Sequence, residues 1–292
     1  MRRLKMDNVI IAKKLQKSYQ GFQLKNIDLE IPLGCVTGMI GVNGSGKTTI
    51  VKCLLNLISR QEGMIQFWGL DLDFHEQEIK NRVGVVLGEN TFYESLTLLE
   101  MKNIFAAAYK NWREDIFRKY MNHFGLDSRK KIFSLSREMK AQFALCLALS
   151  HQAELLIMDE PTTGLDPMTR KEMINILLEY MKTDGRSVLF LTHTVSDLDK
   201  FADVIILVDH GQVIFLEEKD VLEDKHKRIR GRIEQLDPQI RKLFLAIEET
   251  GYGFQGICKD YRQIKEICPQ LPMERVGIEN IMLAYLKGGV HA

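Results

Sequence analysis

The segment from Val36 to Ile58 leaves this chain little freedom in how it can fold. An apolar run, Val36 to Ile40, is followed by Gly41-Val42-Asn43-Gly44-Ser45-Gly46-Lys47-Thr48, and then by Ile50, Val51, Leu54, Leu55, Leu57 and Ile58. That succession reads as a buried strand, a glycine turn and a helix apolar nearly all round, expected over about 47–58. The turn fits G-x-x-x-x-G-K-[ST] in the strand-to-helix context that gives the pattern its meaning. Glycines let successive backbone N–H groups curl around a polyphosphate, and the positive end of the following helix points at it. Lys47 then reaches the β- and γ-phosphates, and Thr48 offers its hydroxyl to Mg²⁺.

Short strands with turn signals precede this turn over about residues 9–40, including Asp28 to Ile31 before Pro32. Beyond it, residues 92–150 read as a helical insertion, with Tyr109, Trp112, Ile116, Phe117, Tyr120 and Phe124 leading into the run Met139 to Leu149. Apolar strands then return at Leu155 to Met158, Val188 to Leu191 and Val204 to Val208, with a helix over 168–182 carrying Met173, Ile174, Leu177 and Leu178. Strands alternating with helices make a parallel sheet. The first of the returning strands ends in Asp159-Glu160, at the sheet edge where ligands bind in such folds. Asp159 is placed to hold Mg²⁺ through water, and Glu160, pointing elsewhere, to polarise an attacking water as a general base.

The charged stretch Glu217 to Arg230 separates this region from a tail with its own periodicity. Ile240, Leu243, Phe244 and Ile247 follow helical spacing, as do Ile278, Ile281, Met282 and Tyr285, with strands expected at Tyr252 to Cys258 and Met273 to Val276. The expected division is therefore 1–218 for the main domain and 219–292 for a small α+β domain.

Bulk composition narrows the partners. Forty basic against 39 acidic residues leave a net charge of +1, so no overall field draws the chain to nucleic acid or anionic lipid. Five scattered cysteines suggest neither a disulfide framework nor a zinc site, which fits a reducing cytoplasm. The apolar run Val9 to Ala12 is too short for a signal peptide, and no apolar stretch approaches the roughly 18 residues of a membrane span.

Leu135-Ser136, Asp159-Glu160-Pro161-Thr162-Thr163-Gly164-Leu165-Asp166-Pro167 and Thr192-His193, in that order behind the glycine turn, resemble the ABC ATPase series over about residues 7–218. The resemblance implies an ATP-binding and ATP-hydrolysing subunit of an ABC transporter, with ATP and Mg²⁺ as cofactors. Its fold would be a three-layer α/β sheet of ABC ATPase type with an antiparallel N-terminal β portion, a helical insertion and a small C-terminal α+β domain. It implies a second ATPase subunit, identical or different, and a separate transmembrane permease. The chain would then be cytoplasmic and peripheral on the cytoplasmic face of the membrane. The tail is similar to the accessory end of subunits serving drug- or peptide-type exporters, so the implied direction is export.

Carried over by position, Tyr19 stacks on adenine, and Gly41, Asn43, Gly44, Ser45, Gly46, Lys47, Thr48 and Thr49 complete the nucleotide set. His193 touches the γ-phosphate, and Asp166 lies in the loop that meets the other subunit. Ser136, Arg137 and Glu138 form the signature offered in trans, since in this family each ATP lies between one subunit's phosphate loop and the other's signature helix.

Two departures stand out. The family signature Leu-Ser-Gly-Gly-Gln is replaced by Leu135-Ser136-Arg137-Glu138-Met139. Negative charge at a helix start is favourable by about 0.3–1 kcal/mol. Against a triphosphate about 5 Å away, however, the Glu138 carboxylate would meet a repulsion of roughly 3 kcal/mol at an effective dielectric of about 20. The expectation is a signature that supports hydrolysis poorly, with an ATP-binding regulator of weak turnover as the alternative function. The second departure is Glu89, which stands where the family has a glutamine that reaches Mg²⁺.

Overall fold

The computed structural model describes residues 7–88 and 92–288. The chain opens with β1 (Asn8–Tyr19) and β2 (Phe22–Pro32), passes through β3 (Val36–Ile40), the glycine turn and α1 (Lys47–Leu54), and continues with β4 (Glu62–Phe67) and β5 (Leu70–Asp71). There follow α2 (Leu72–Arg82), β6 (Val83–Leu87), α3 (Leu98–Ala108), α4 (Glu114–His123), α5 (Arg137–Ser150), β7 (Leu155–Asp159), α6 (Pro167–Met181), β8 (Ser187–Thr192), β9 (Val204–Asp209) and β10 (Gln212–Glu218).

The central sheet has the order β10-β9-β3-β8-β7-β6, parallel except for β10 at one edge. Strands β3, β7, β8 and β9 are buried along their whole length, which is why they read as unbroken apolar runs rather than alternating ones. On one face lies α1, whose Ile50, Val51, Cys53 and Leu54 pack between Leu155, Leu189 and Ile206 of this sheet and Ile10 and Phe67 of the antiparallel sheet β2-β1-β4-β5. On the other face, Leu145 of α5 and Leu177 of α6 pack against Met158 and Phe190. Each such side chain, fully removed from water, contributes about 1.5–3 kcal/mol.

Helix α1 ends at Leu54 rather than at the expected 58, because Asn56 turns to φ 53° and leaves Leu57 exposed. The apolar circumference of α5 has a clear cause. Its Phe143, Cys146 and Leu147 face Leu98, Met101, Phe117 and Met121 of α3 and α4, while its Ala144, Leu145 and Ala148 face the sheet.

After β10 come α7 (Lys219–Lys225), β11 (Lys227–Gly231), α8 (Pro238–Arg241), β12 (Phe244–Thr250), β13 (Gly253–Cys258), α9 (Tyr261–Ile267), β14 (Met273–Arg275) and α10 (Ile278–Lys287). The four strands form an antiparallel sheet in the order β12-β13-β11-β14. One reading of the tail is corrected. The helical stripe from Ile240 to Ile247 is one turn of α8 followed by strand β12, because the Phe244 ring fills the space over Gly256, where a Cβ would lie 2.5 Å from its Cδ1. Cross-strand packing here overrides local periodicity. The charged separator Glu217 to Arg230 contains α7 and the interior strand β11. Of that strand only Ile229 is buried, while Arg228 and Arg230 bond Asn280 and Glu274 on the outside. Ile278, Ile281 and Met282 of α10 join the core cluster that holds Leu198 and Phe201.

Candidate active site

Register brings the site together. Ile40 pairs with Thr192 and Asp159 with Leu191, so the glycine turn, the acidic pair and His193 emerge at one edge of the sheet. Gly46 has φ 115°, and a Cβ there would lie 2.9 Å from the Phe22 ring, while a Cβ on Gly41 would lie 2.2 Å from the Val208 carbonyl oxygen. Only glycine fits either position. Among the described residues no side chain caps α1, so its first N–H groups stay open to an anion.

Lys47, 6% exposed, folds over the turn and donates from Nζ to the Gly41 carbonyl at 2.7 Å and the Val42 carbonyl at 3.2 Å. Burial pulls its ammonium below the usual lysine range, opposed by the charges of Glu160 and Asp159. A buried cation satisfied, among the described residues, by carbonyls is poised for a polyphosphate. Thr48 Oγ1 donates to Asp159 Oδ2 at 2.8 Å, and the other carboxylate oxygen, Oδ1, is buried without a hydrogen-bond partner among the described residues. Burial is the main cause that raises the Asp159 carboxyl above its ordinary range. An orphaned buried oxygen beside a hydroxyl is a hard-oxygen donor set of the kind Mg²⁺ takes.

Glu160 sits in the left-handed region at φ 51°, and its backbone N–H donates to the Leu191 carbonyl at 2.9 Å. Its Oε2 accepts from Thr163 Oγ1 at 2.8 Å and lies 2.8 Å from His193 Nδ1. Two neighbours thus hold one carboxylate oxygen, in a backbone conformation that costs energy and is typical of functional positions. Asn43, Thr48, Asp159, Glu160, Thr163 and His193 line a common cavity of about 360 Å³, and Arg137 reaches its wall. Thr163 was not among the residues singled out from the sequence. The signal was a hydroxyl three residues beyond an acid at a strand end, where a turn returns it to that acid.

Ser45 is buried, with its hydroxyl unpartnered among the described residues, and its carbonyl accepts from the Gly211 N–H at 2.8 Å. Gly44, at φ 80°, lies in the same turn, and Thr49 follows Thr48 in the first turn of α1. Tyr19 ends β1 opposite Phe22, is 49% exposed and lies beneath the Lys17 ammonium at 5.1 Å. Its hairpin abuts the glycine turn through Phe22. Ser136 caps α5 by accepting from the Met139 N–H at 3.2 Å, and Asp166 caps α6 by accepting from the Met168 and Thr169 N–H groups. Glu138 accepts from Thr169 Oγ1 of its own chain at 2.7 Å. Glu89 lies outside the described residues.

Comparison with known proteins gives a consistent result. The family model described as ABC transporter matches residues 24–163. The bacitracin transport ATP-binding protein BcrA of Enterococcus faecalis is 31% identical over 250 residues, covering 85% of this chain and 80% of that protein. The lantibiotic transport ATP-binding protein SrtF of Streptococcus pyogenes is 29% identical over 222 residues, 75% of this chain and 95% of its own length. The dimeric bacterial ABC transporter cassette MJ0796 superposes with a TM-score of 0.65 at 23% identity, over 72% of this chain and 98% of that one, and shows the fold. With a phosphate loop, an acidic strand end and a histidine assembled at one sheet edge, the chain belongs to the ABC transporter family as an ATP-binding subunit that hydrolyses ATP.

Proposed function

We propose that this subunit energises a separate membrane permease that exports a peptide-type cargo, acting through an ATP-driven dimer. The direction and the cargo class rest on the relatives named for bacitracin and lantibiotic transport. In this reading the open N–H groups of α1 and Lys47 bind the phosphates, and Tyr19 offers its exposed ring to the adenine. Thr48 and Asp159 are the residues that would hold Mg²⁺, which when bound offsets negative charge on the β- and γ-phosphates.

The observation that carries the mechanism is the double tether on Glu160. Held by Thr163 and His193, its carboxylate is fixed to take a proton from a water attacking the γ-phosphorus, as the bond to ADP breaks and phosphate leaves. His193, on the same oxygen, is positioned to donate towards the phosphate that departs. Ser136 and Asp166, each exposed at the start of a helix, are read as the face offered to the second subunit.

A second feature supports the permease. Between the helical insertion and the sheet edge lies an apolar cavity of about 290 Å³ lined by Leu57, Phe92, Phe105, Tyr109, Leu147 and His151. Among the described residues no helix is long and apolar enough to cross a membrane, so a membrane-embedded partner has to dock from outside. An apolar groove beside the insertion suits a short helix of such a partner.

The deciding experiment is steady-state ATP hydrolysis by the purified chain beside Glu160→Gln, with sedimentation in ATP. The expected result is loss of turnover in the variant with ATP-trapped dimers accumulating. Retained turnover in Glu160→Gln would remove the base from the mechanism.

A further inference from the structure

Glu138 breaks the family signature, yet its side chain has a defined place. Its Oε1 is 2.7 Å from Thr169 Oγ1, and the same hydroxyl lies 2.6 Å from Asp166 Oδ2. A threonine hydroxyl carries one proton, so it donates to one of these carboxylates at a time. Their needs differ. Asp166 keeps two backbone donors at its Oδ1, from Met168 at 2.8 Å and Thr169 at 3.3 Å. Among the described residues, Glu138 has besides Thr169 only the Gln142 amide at 3.5 Å, the outer limit of a hydrogen bond. Asp166 therefore keeps its role as the cap of α6 when the hydroxyl turns to Glu138, whereas Glu138 has no comparable substitute for it.

We propose that Glu138 and Thr169 form a latch within one subunit that fixes the first turn of α5 to the loop carrying Asp166, making Glu138 a positioning residue for hydrolysis. The proposal rests on the reading of Ser136 and Asp166 as the face offered to the second subunit. When a group of that subunit engages Asp166, the Thr169 hydroxyl donates wholly to Glu138 and the start of α5 tightens onto α6. When the subunits part, Asp166 reclaims a share and the link slackens. Glycine at position 138, as in the family pattern, has no side chain that could report the state of Asp166 to the signature helix.

The test uses the full chain as E138A, E138Q, T169V, T169S and the double variant E138A/T169V. Amide hydrogen exchange is followed without nucleotide over residues 137–141 and 167–171, and kcat and KM for ATP are measured. E138A and T169V each speed exchange in both segments and lower kcat about tenfold, the value of one hydrogen bond to a charged group, with KM within about twofold. The double variant is no worse than either single one, because one interaction has been removed twice. E138Q and T169S, which keep an acceptor and a hydroxyl, regain most of the loss.

Additive losses, parent-like exchange in E138A, or an E138A that turns over faster than the parent would each overturn the latch. A parent without turnover would count against the ATPase reading, and the nucleotide-free exchange pattern would still decide the latch.

Discussion

Replacing Thr163 with valine removes one oxygen from the site and little else. Valine keeps the branched shape, and the turn that carries residue 163 is held by its backbone N–H on the Glu160 carbonyl at 3.2 Å, which the substitution leaves intact. What is lost is the 2.8 Å hydrogen bond from the hydroxyl to Glu160 Oε2. A hydrogen bond to an ionised group contributes about 1.5–3 kcal/mol. The Glu160 side chain is 21% exposed, so water replaces part of the lost partner, and the lower end, about 1.5 kcal/mol, is the appropriate figure. If that tether matters when the water is attacked and not when ATP binds, kcat falls slightly more than tenfold and KM stays within about twofold. Steady-state hydrolysis with a separate ATP-binding titration reads both quantities. A kcat within about twofold of the parent, or a loss carried entirely by KM, would refute the claim that Thr163 orients the base.

Two further outcomes follow from the packing. His151 is 2% exposed, stacks on Tyr109 with ring centres 3.9 Å apart, and has its pKa pulled down to about 4 by burial. The folded chain binds its proton less readily than the unfolded one. The stabilising contribution is thus whole above about pH 6.5 and is lost as the pH falls towards 4. Urea unfolding at pH 7 and pH 4.5 should show His151→Phe losing about 2–3 kcal/mol less on acidification than the parent, and equal losses would show that the histidine is not the sensor. Gly211, at φ 72°, would place a Cβ 1.9 Å from the Gln23 carbonyl oxygen. Gly211→Ala should therefore lower stability by more than about 2 kcal/mol and weaken ATP binding through its link to Ser45. Gly21→Ala, equally left-handed but in open space, should cost only about 1 kcal/mol, and similar melting shifts for the two would refute the clash.

Much of the architecture was legible because several signals in the chain agreed. Strand, glycine turn and helix at 36–58 are contiguous, and the buried parallel strands read as solid apolar runs because both of their faces are covered. The acidic strand end and His193 could be placed at one edge because parallel strands share a direction. The tail was read less well. Only Ile229 of β11 is buried, so that strand has no hydrophobic pattern, and β12 mimics helical spacing until Gly256 is seen opposite it. The direction of the Glu138 side chain depends on Thr169, 31 residues away, which no local pattern encodes.

The placement of α5 has a mechanical consequence. Its first residue, Arg137, lines the cavity of the nucleotide site, and its last turn runs into His151 on the wall of the apolar groove. Buried without interruption from Gln142 to Ser150, it has little room to bend between those points. Fourteen residues at about 1.5 Å each give a rod of about 21 Å. A tilt of about 5° at one end then displaces the other by nearly 2 Å, more than close-packed side chains tolerate without shifting partners. Whatever fills that groove is thereby geared to the arrangement of a carboxylate and a hydroxyl at the opposite end of a single helix.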